Sequence, residues 1–247
     1  MRGPSAHTVL SRGALEWIAT FFAQTPPTDL GAESASDSAL IANHLLHLIR
    51  GCGLLNGTGF HSAAVSLLRP MEDALDCFAA VSLVVGAASL WRRGQLKPSD
   101  AAKKWTSGNI ADNFTPLGVS LPEYRKGLRG QFNPYSHCSP ELCRWDLYFR
   151  PTARNEASGN VTGTLELNAR PLVIDSNAHS IDAFLTAHLL EFLQLIRLAY
   201  AGYLSTRGPD LARLSALEAQ ITDIMERHSE HGCQEVRIPP EVARLKG

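Results

Sequence analysis

The sequence has few aromatic residues, few cysteines and no long apolar run, and each scarcity excludes a class of protein. Phe, Trp and Tyr make up 7% of the 247 residues, while Ala and Leu are abundant, which favours helices over a β-sandwich. The five cysteines are scattered and do not fit a disulfide framework, so we expect reduced thiols. The most apolar run, residues 77–91, is short for a bilayer span.

Several familiar motifs are also missing. Residues 1–10 carry no apolar segment of signal-peptide length, so we expect a cytoplasmic protein without a membrane partner. The Gly-rich stretch 51–59 lacks lysine and follows a helical pattern, which excludes a phosphate-binding loop and a dinucleotide fingerprint. Neither G-x-S-x-G nor H-E-x-x-H occurs. We therefore predict no cofactor.

Nine histidines raise the question of a metal site, but their spacings give it little support. His44 and His47 are three apart on a predicted helix and could share one ion, yet His44 lies on the apolar stripe, which indicates a core histidine. His137, Cys138 and Cys143 form half a zinc site without a second pair. We predict no bound metal.

Basic residues concentrate in the middle third of the chain. Residues 91–154 contain eleven Lys and Arg against five Asp and Glu, a net charge of +6, whereas the rest of the chain carries −7. Such asymmetry can create a local field that attracts phosphate. The alternative is that these side chains scatter over different faces.

Apolar residues recur at helical spacing along most of the chain. We predict helices at about 10–22, 40–52, 61–93, 99–105, 121–132, 181–203 and 209–228. Pro70 predicts a kink in the third helix, because proline removes a backbone donor and clashes with the preceding turn. Ser99 is expected to cap the fourth helix, and the capping box at 120–123 starts the fifth. Asn133-Pro134 ends that helix.

Strict alternation of apolar and polar residues occurs on both sides of a turn-rich segment. Residues 145–150 and 164–169 alternate, and the segment between them is rich in Pro, Asn, Ser and Gly, which predicts a β-hairpin at about 144–170. The predicted fold is a mainly α helical bundle with one inserted β-hairpin. We expect a single domain over 1–247, with a helical core at about 37–228 and a flexible tail at about 232–247.

Residues 124–137 carry the chemistry that the rest of the sequence lacks. Arg129, Asn133 and His137 are spaced by four, so a continuous helix would align them on one face over about 12 Å. A guanidinium holds a phosphodiester by paired hydrogen bonds, and an imidazole exchanges protons near neutral pH. Together they suit metal-independent RNA cleavage by the 2′-hydroxyl, with Asn133 orienting the phosphate.

At these residues the sequence resembles the HEPN superfamily (higher eukaryote and prokaryote nucleotide-binding domains). The likeness rests on Arg129 followed by His137, on the helix Leu67-Leu68-Arg69-Pro70-Met71-Glu72, and on Tyr135-Ser136-His137 before a hairpin. It covers roughly residues 40–200 in element order. Members of that superfamily are often dimers with Arg/His pairs at the interface, and many are ribonucleases of toxin–antitoxin or antiphage systems.

The sequence departs from the superfamily pattern in the distance between the two catalytic side chains. Seven residues separate Arg129 from His137, where four to six are usual, and Pro134 interrupts the helix. Either Arg69 supplies the phosphate contact or the site is degenerate. Glu72, Tyr135 and Tyr124 complete the candidate substrate-binding residues; for Arg69 and Glu72 the alternative is an intrahelical ion pair.

Three functional hypotheses follow. The first is an enzyme, a metal-independent ribonuclease or RNA-binding component of a bacterial toxin–antitoxin or antiphage system, with RNA, a second copy of the chain and an antitoxin or other protein as partners. The second is a non-catalytic protein-interaction module. The third is a small-molecule-binding regulator, because His44, His188 and Arg69 lie on otherwise apolar stripes.

Overall fold

The structure is a computed structural model that describes residues 6–25, 34–107, 121–136, 139–155, 160–167 and 173–230. The chain divides into two compact units, one of residues 1–26 and 175–247, the other of residues 27–174. Both are mainly helical, so the predicted mainly α class with one β-hairpin is confirmed. The single domain over 1–247 stays a prediction, and the tail at 232–247 lies outside the described residues.

The unit that contains both ends of the chain is a small helical bundle. Its elements are α1 (Ala6–Gln24), α9 (Asp175–Ala199), α10 (Ala201–Ser205) and α11 (Gly208–Glu230). Helices α1 and α11 both pack on α9, which buries Ile18, Phe192 and Leu214 completely. Between α9 and α11, Arg197 Nε donates to Glu218 Oε2 at 3.0 Å. His188 is buried and its Nδ1 bonds the carbonyl of Phe184 one turn earlier, at 2.6 Å.

The other unit is built around one central helix. Its helices are α2 (Ala35–Gly57), α3 (His61–Ser66), α4 (Leu68–Leu83), α5 (Ala87–Arg92), α6 (Pro98–Thr106), α7 (Leu121–Phe132) and α8 (Pro140–Cys143). Helix α4 packs against α2, α6 and α7, and its Met71, Leu75 and Phe78 are fully buried. Two 3-10 turns, Asn133–Ser136 and Arg144–Asp146, flank α8. The candidate site residues on α4 and α7 therefore lie on neighbouring helices.

The predicted long helix over 61–93 is wrong, because it is three helices. The first break is at Leu67, so Pro70 lies in the first turn of α4, where its missing N–H has no intrahelical acceptor to lose. The second break follows Leu83 and includes Gly86, whose φ of +79° is a left-handed conformation that glycine adopts without strain. The expected kink at Pro70 is a helix start instead.

Two other helix boundaries test the capping predictions. Helix α6 begins at Pro98 with Lys97 at the N-cap, so the prediction that Ser99 caps it is wrong. Proline at the first helical position suits a helix start because its φ is already helical. Helix α7 ends at Phe132 and gives way to a 3-10 turn at Asn133, which confirms the boundary predicted from Asn133-Pro134.

The predicted hairpin is present. Strands β1 (Leu147–Arg154) and β2 (Val161–Leu167) pair antiparallel, with Leu147 opposite Leu167 and Phe149 opposite Leu165. An irregularity between Pro151 and Ala153 shifts the register by one residue. Proline cannot donate to the ladder, so it falls where the pairing is interrupted.

Helix α2 is long and apolar enough to cross a membrane by length and composition alone. Its apolar stripe, which includes Ile41, Leu45 and Ile49, is buried, and the helix packs on α4. A core helix has the same properties, so α2 behaves as one. His44 and His47 are both exposed. The interpretation of His44 as a core histidine is wrong, because it lies one residue, about 100° of rotation, off the buried stripe.

His61, the first residue of α3, is hydrogen-bonded to Ile174, which follows the hairpin. The side chain is fully buried, its Nε2 accepts from the backbone N–H of Ile174 at 3.0 Å, and its Nδ1 lies 2.8 Å from Asn56 Oδ1. Because Nε2 accepts, the proton must sit on Nδ1, which then donates to Asn56. A neutral imidazole satisfies both neighbours.

We predict that His61→Ala lowers the free energy of unfolding by about 2–4 kcal/mol, because it opens a cavity and leaves the Ile174 N–H without its acceptor. The measurement is urea denaturation. His47→Ala, at an exposed position on α2, is the matched control and should change stability by less than about 0.5 kcal/mol. Equal losses in the two variants would contradict the role given to His61.

Candidate functional site

Helices α4 and α7 face each other with opposite charges. Arg69, Glu72, Asp73 and Asp76 recur along α4 at helical spacing, so they form one charged stripe. Arg125 and Arg129 are four apart on α7 and share its face toward α4. This charged cluster contains three guanidinium groups and three carboxylates.

Asp76 is the buried centre of the charged cluster. Its Oδ1 accepts from Trp105 Nε1 on α6 at 2.8 Å and from Arg125 Nε at 3.0 Å. Its Oδ2 accepts from Arg129 Nε at 3.0 Å, and the Arg129 terminal nitrogen forms a second ion-pair contact. Asp76 is wholly buried, so its charge is solvated by these donors alone among the described residues. One carboxylate thus joins α4, α6 and α7.

Arg125 is paired as completely as Asp76. The side chain is 1% exposed, its terminal nitrogen lies 2.6 Å from Glu72 Oε2, and the same nitrogen donates to the Glu72 carbonyl at 3.1 Å. Arg129 also donates to the carbonyl of Pro98 at 2.8 Å, which ties α7 to the start of α6. Buried charges need such full pairing, since each ion costs several kcal/mol to desolvate.

At its outer end the charged cluster reaches the surface through Arg69. The terminal nitrogen of Arg69 donates to Asn133 Oδ1 at 3.0 Å and to the carbonyl of Arg129 at 3.2 Å. Its Nε lies 3.3 Å from Asp73, so the ion-pair partner of Arg69 is Asp73 and not Glu72. The Arg69 and Asp73 side chains are 20% and 28% exposed. Three predicted site residues, Arg69, Arg129 and Asn133, therefore meet at one place.

The remaining predicted residues have separate positions. Tyr135 is half-buried in the 3-10 turn after α7, and its ring meets that of Trp145 edge-on at 6.3 Å between centroids. Glu72 is buried against Arg125 and is not on the surface. Tyr124 lies in α7. His137, the predicted proton carrier, lies outside the described residues.

Asp76, Arg125 and Trp105 are site residues that were not predicted from the sequence. The spacing of Glu72 to Asp76 and of Arg125 to Arg129 is four residues in both helices, which presents matched pairs along a shared face. That pattern is detectable in the sequence. Its burial is not, because charged residues on helices are mostly exposed.

Exposed lysines lie on α6 and α7, the two helices that contribute donors to the charged cluster. Lys103, Lys104 and Lys126 are exposed, and Lys97 precedes α6. Arg125 and Arg129 are paired with carboxylates, and so is Arg92 of α5, whose partner is Asp37, so the exposed lysines carry part of the excess positive charge of residues 91–154. A surface of this sign attracts polyanions. Among the described residues, no group of three or more His, Cys, Asp and Glu is placed to hold a metal ion.

Comparison with known proteins identifies no relative. No family model matches the chain, and no curated protein and no solved structure is significantly similar to it.

Cys77 borders the charged cluster on α4, and its surroundings make it a poor nucleophile. Burial, followed by the neighbouring carboxylates of Asp76 and Asp73, raises the pKa of the Cys77 thiol to about 11, and Arg129 opposes this only weakly. The thiolate, which is the reactive form, is therefore scarce until the solution approaches that pH.

We predict that Asp76→Ala lowers the free energy of unfolding by at least about 3 kcal/mol, because the buried Arg125, the nearly buried Arg129 and the Trp105 N–H each lose an acceptor. Asp73→Ala, at a partly exposed position on the same stripe, should cost about 1 kcal/mol or less. Chemical denaturation of both variants is the measurement. If Asp76→Ala and Asp73→Ala lower the free energy of unfolding equally, burial does not determine how much a carboxylate of the charged cluster stabilises the protein.

Alkylation tests the environment of Cys77. We expect iodoacetamide at pH 7.5 to label Cys77 at least about tenfold more slowly than the exposed Cys143, with the Cys77 rate rising as the pH approaches 11. Peptide mass mapping separates the two sites. If Cys77 reacts as fast as Cys143 in the folded protein, burial and the adjacent carboxylates do not suppress its thiolate.

Proposed function

We propose that the protein is an RNA-binding, metal-independent ribonuclease of the HEPN type, acting in bacterial stress or defence. The observation that carries the proposal is the contact of Arg69 with Asn133 at the protein surface, four residues before His137. It brings a partly exposed guanidinium from α4 to the segment that carries the imidazole. The exposed lysines on α6 and α7 support binding of a polyanion beside it.

The contacts of Arg129 and Arg69 favour different roles for the two arginines from those that the sequence spacing predicts. Arg129 is held by Asp76 and the Pro98 carbonyl, so it positions the end of α7 and does not bind phosphate. Arg69, which is more exposed, takes the phosphate contact, and Asn133 orients the phosphate beside it. Arginine suits this role because its fork matches two phosphate oxygens.

In the proposed reaction the 2′-hydroxyl of the RNA attacks the adjacent phosphorus. The new O2′–P bond forms as the P–O5′ bond breaks, which leaves a 2′,3′-cyclic phosphate and a 5′-hydroxyl. His137 transfers a proton, either from the 2′-hydroxyl or to the departing O5′. One imidazole performs one of these transfers, and a second copy of the chain in a homodimer would supply the other. Arg69 stabilises the charge on the phosphorane.

RNA cleavage in the presence of EDTA tests this function. The wild-type protein should cut total RNA to products ending in cyclic phosphate, and His137→Ala should reduce the rate by about 10²–10⁴-fold through loss of proton transfer. Arg69→Ala should reduce it by about ten- to a hundredfold through loss of a charge-assisted contact. Gel electrophoresis measures the cleavage rate. Resistance of the product 3′ ends to phosphatase identifies the cyclic phosphate.

Two exposed residues on α2 in the same unit supply matched controls. His47→Ala and Arg50→Ala should cleave at the wild-type rate. Absence of cleavage by the wild-type protein, or an undiminished rate in His137→Ala, would reject the mechanism.

A second candidate function is the non-catalytic interaction module. The pairing of all three guanidinium groups with carboxylates in the charged cluster favours it, because guanidinium groups held in this way act as structural support. On this alternative RNA is not turned over, and a protein partner, such as an antitoxin, covers an apolar helix face. Recovery of RNA and no protein after affinity purification from the native host would count against it.

A further inference from the structure

The unit that contains both ends of the chain has a cleft of about 310 Å³ between α1, α10 and the start of α11. Its floor is aromatic. Trp17 and Phe21, one turn apart on α1, stack with ring centroids 5.3 Å apart, and Tyr203 meets Phe21 edge-on at 6.0 Å. The Tyr203 hydroxyl donates to Thr25 Oγ1 at 3.2 Å, which fixes the ring at the wall of the cleft. The floor is therefore preformed.

Charged side chains of both signs surround this floor. Glu16 from α1, Arg207 from the turn before α11, and Asp210 and Arg213 from α11 line the cleft. Arg207 lies over the Tyr203 ring, 5.2 Å from its centroid. Within the described part of the chain, none of these four makes a side-chain hydrogen bond or ion pair. Two guanidinium groups and two carboxylates thus converge on one cavity with their bonding capacity unused.

We propose that this cleft binds a small planar aromatic molecule that carries both an anionic group and N–H donors. The two arginines would hold the anion, since guanidinium groups bind phosphate and carboxylate by paired hydrogen bonds. The carboxylates of Glu16 and Asp210 would accept the ligand N–H groups, and its ring would lie on the aromatic floor and the Arg207–Tyr203 stack. Ligand sites usually have this composition: a cavity lined by aromatic side chains on which a small number of polar groups converge.

The volume limits the size of this ligand. Small-molecule pockets occupy about 300–1,000 Å³, and this cleft lies at the lower end. Two ordinary sources have the required chemistry at that size: a purine mononucleotide, with phosphate and ring amino group, and an aromatic amino acid, with carboxylate and ammonium. Both share the ring, the anion and the N–H donors.

Isothermal titration calorimetry of the full chain distinguishes these sources. AMP, GMP, L-tryptophan and inorganic phosphate are titrated separately at concentrations up to about 1 mM, and we expect one of the organic probes to bind with a Kd below about 1 mM. Arg213→Ala should weaken binding at least about tenfold, because it removes a charge-assisted contact. Glu16→Gln should weaken it as well, by removing the charge of an N–H acceptor. Glu16 and Arg213 are exposed and form no side-chain hydrogen bond or ion pair among the described residues, so we expect the two substitutions to leave the fold intact.

Arg12→Ala provides the matched control, since Arg12 is an exposed arginine on α1 that does not line the cleft. Binding of AMP or GMP alone supports the nucleotide source, and binding of L-tryptophan alone supports the amino acid source. Failure of every organic probe, phosphate binding as tight as theirs, or an equal loss in Arg12→Ala overturns the proposal. The cleft shares no residue with the ribonuclease site, so its test is independent of that proposal.

Discussion

The unit of residues 27–174 depends on one buried carboxylate, Asp76, and on what it takes to keep that charge out of water. An ionised aspartate in a protein interior is tolerable only when donors replace its hydration shell. Trp105, Arg125 and Arg129 supply those donors, and they come from α6 and α7. The requirement to solvate Asp76 therefore fixes the position of two helices against the central α4. Apolar burial alone would leave their rotation and axial position less strictly defined.

This arrangement separates the charged cluster into a structural interior and an accessible edge. Arg125 and Glu72 are sealed and act on each other. Arg69 and Asp73 retain contact with solvent. Only Arg69 and Asp73 at the accessible edge can contact a ligand. The buried pairs behind them hold these two side chains in position. The buried ion pairs fix the position of α7. They therefore also fix the position of Asn133 at the edge, since the turn that carries Asn133 begins where α7 ends.

The elements that local chemistry controls were predictable, and those that depend on distant partners were not. Helix α7 begins at Leu121, within the segment 120–123 that predicts a helix start, and ends before Asn133-Pro134, because signals of this kind act on the backbone directly. The break at Leu67 was not predictable, since proline is accepted in a first turn and disruptive in an interior, and the sequence does not say which applies. The sequence singles out Arg129 and Asn133 as candidate site residues. Asp76 was not, because burial of a carboxylate depends on guanidinium groups about fifty residues away.

The contact between Arg69 and the carbonyl of Arg129 gives that guanidinium a second duty as a C-terminal helix cap. The last carbonyls of a helix lack intrahelical donors, and a cation placed there also opposes the negative end of the helix dipole. Any anion that draws Arg69 away must leave this carbonyl exposed, so occupancy of the edge and fraying of the last turn of α7 are thermodynamically linked. The intrinsic affinity for such an anion is offset by the cost of uncapping. A bound anion and the carbonyl of Arg129 compete for the N–H donors of the Arg69 guanidinium.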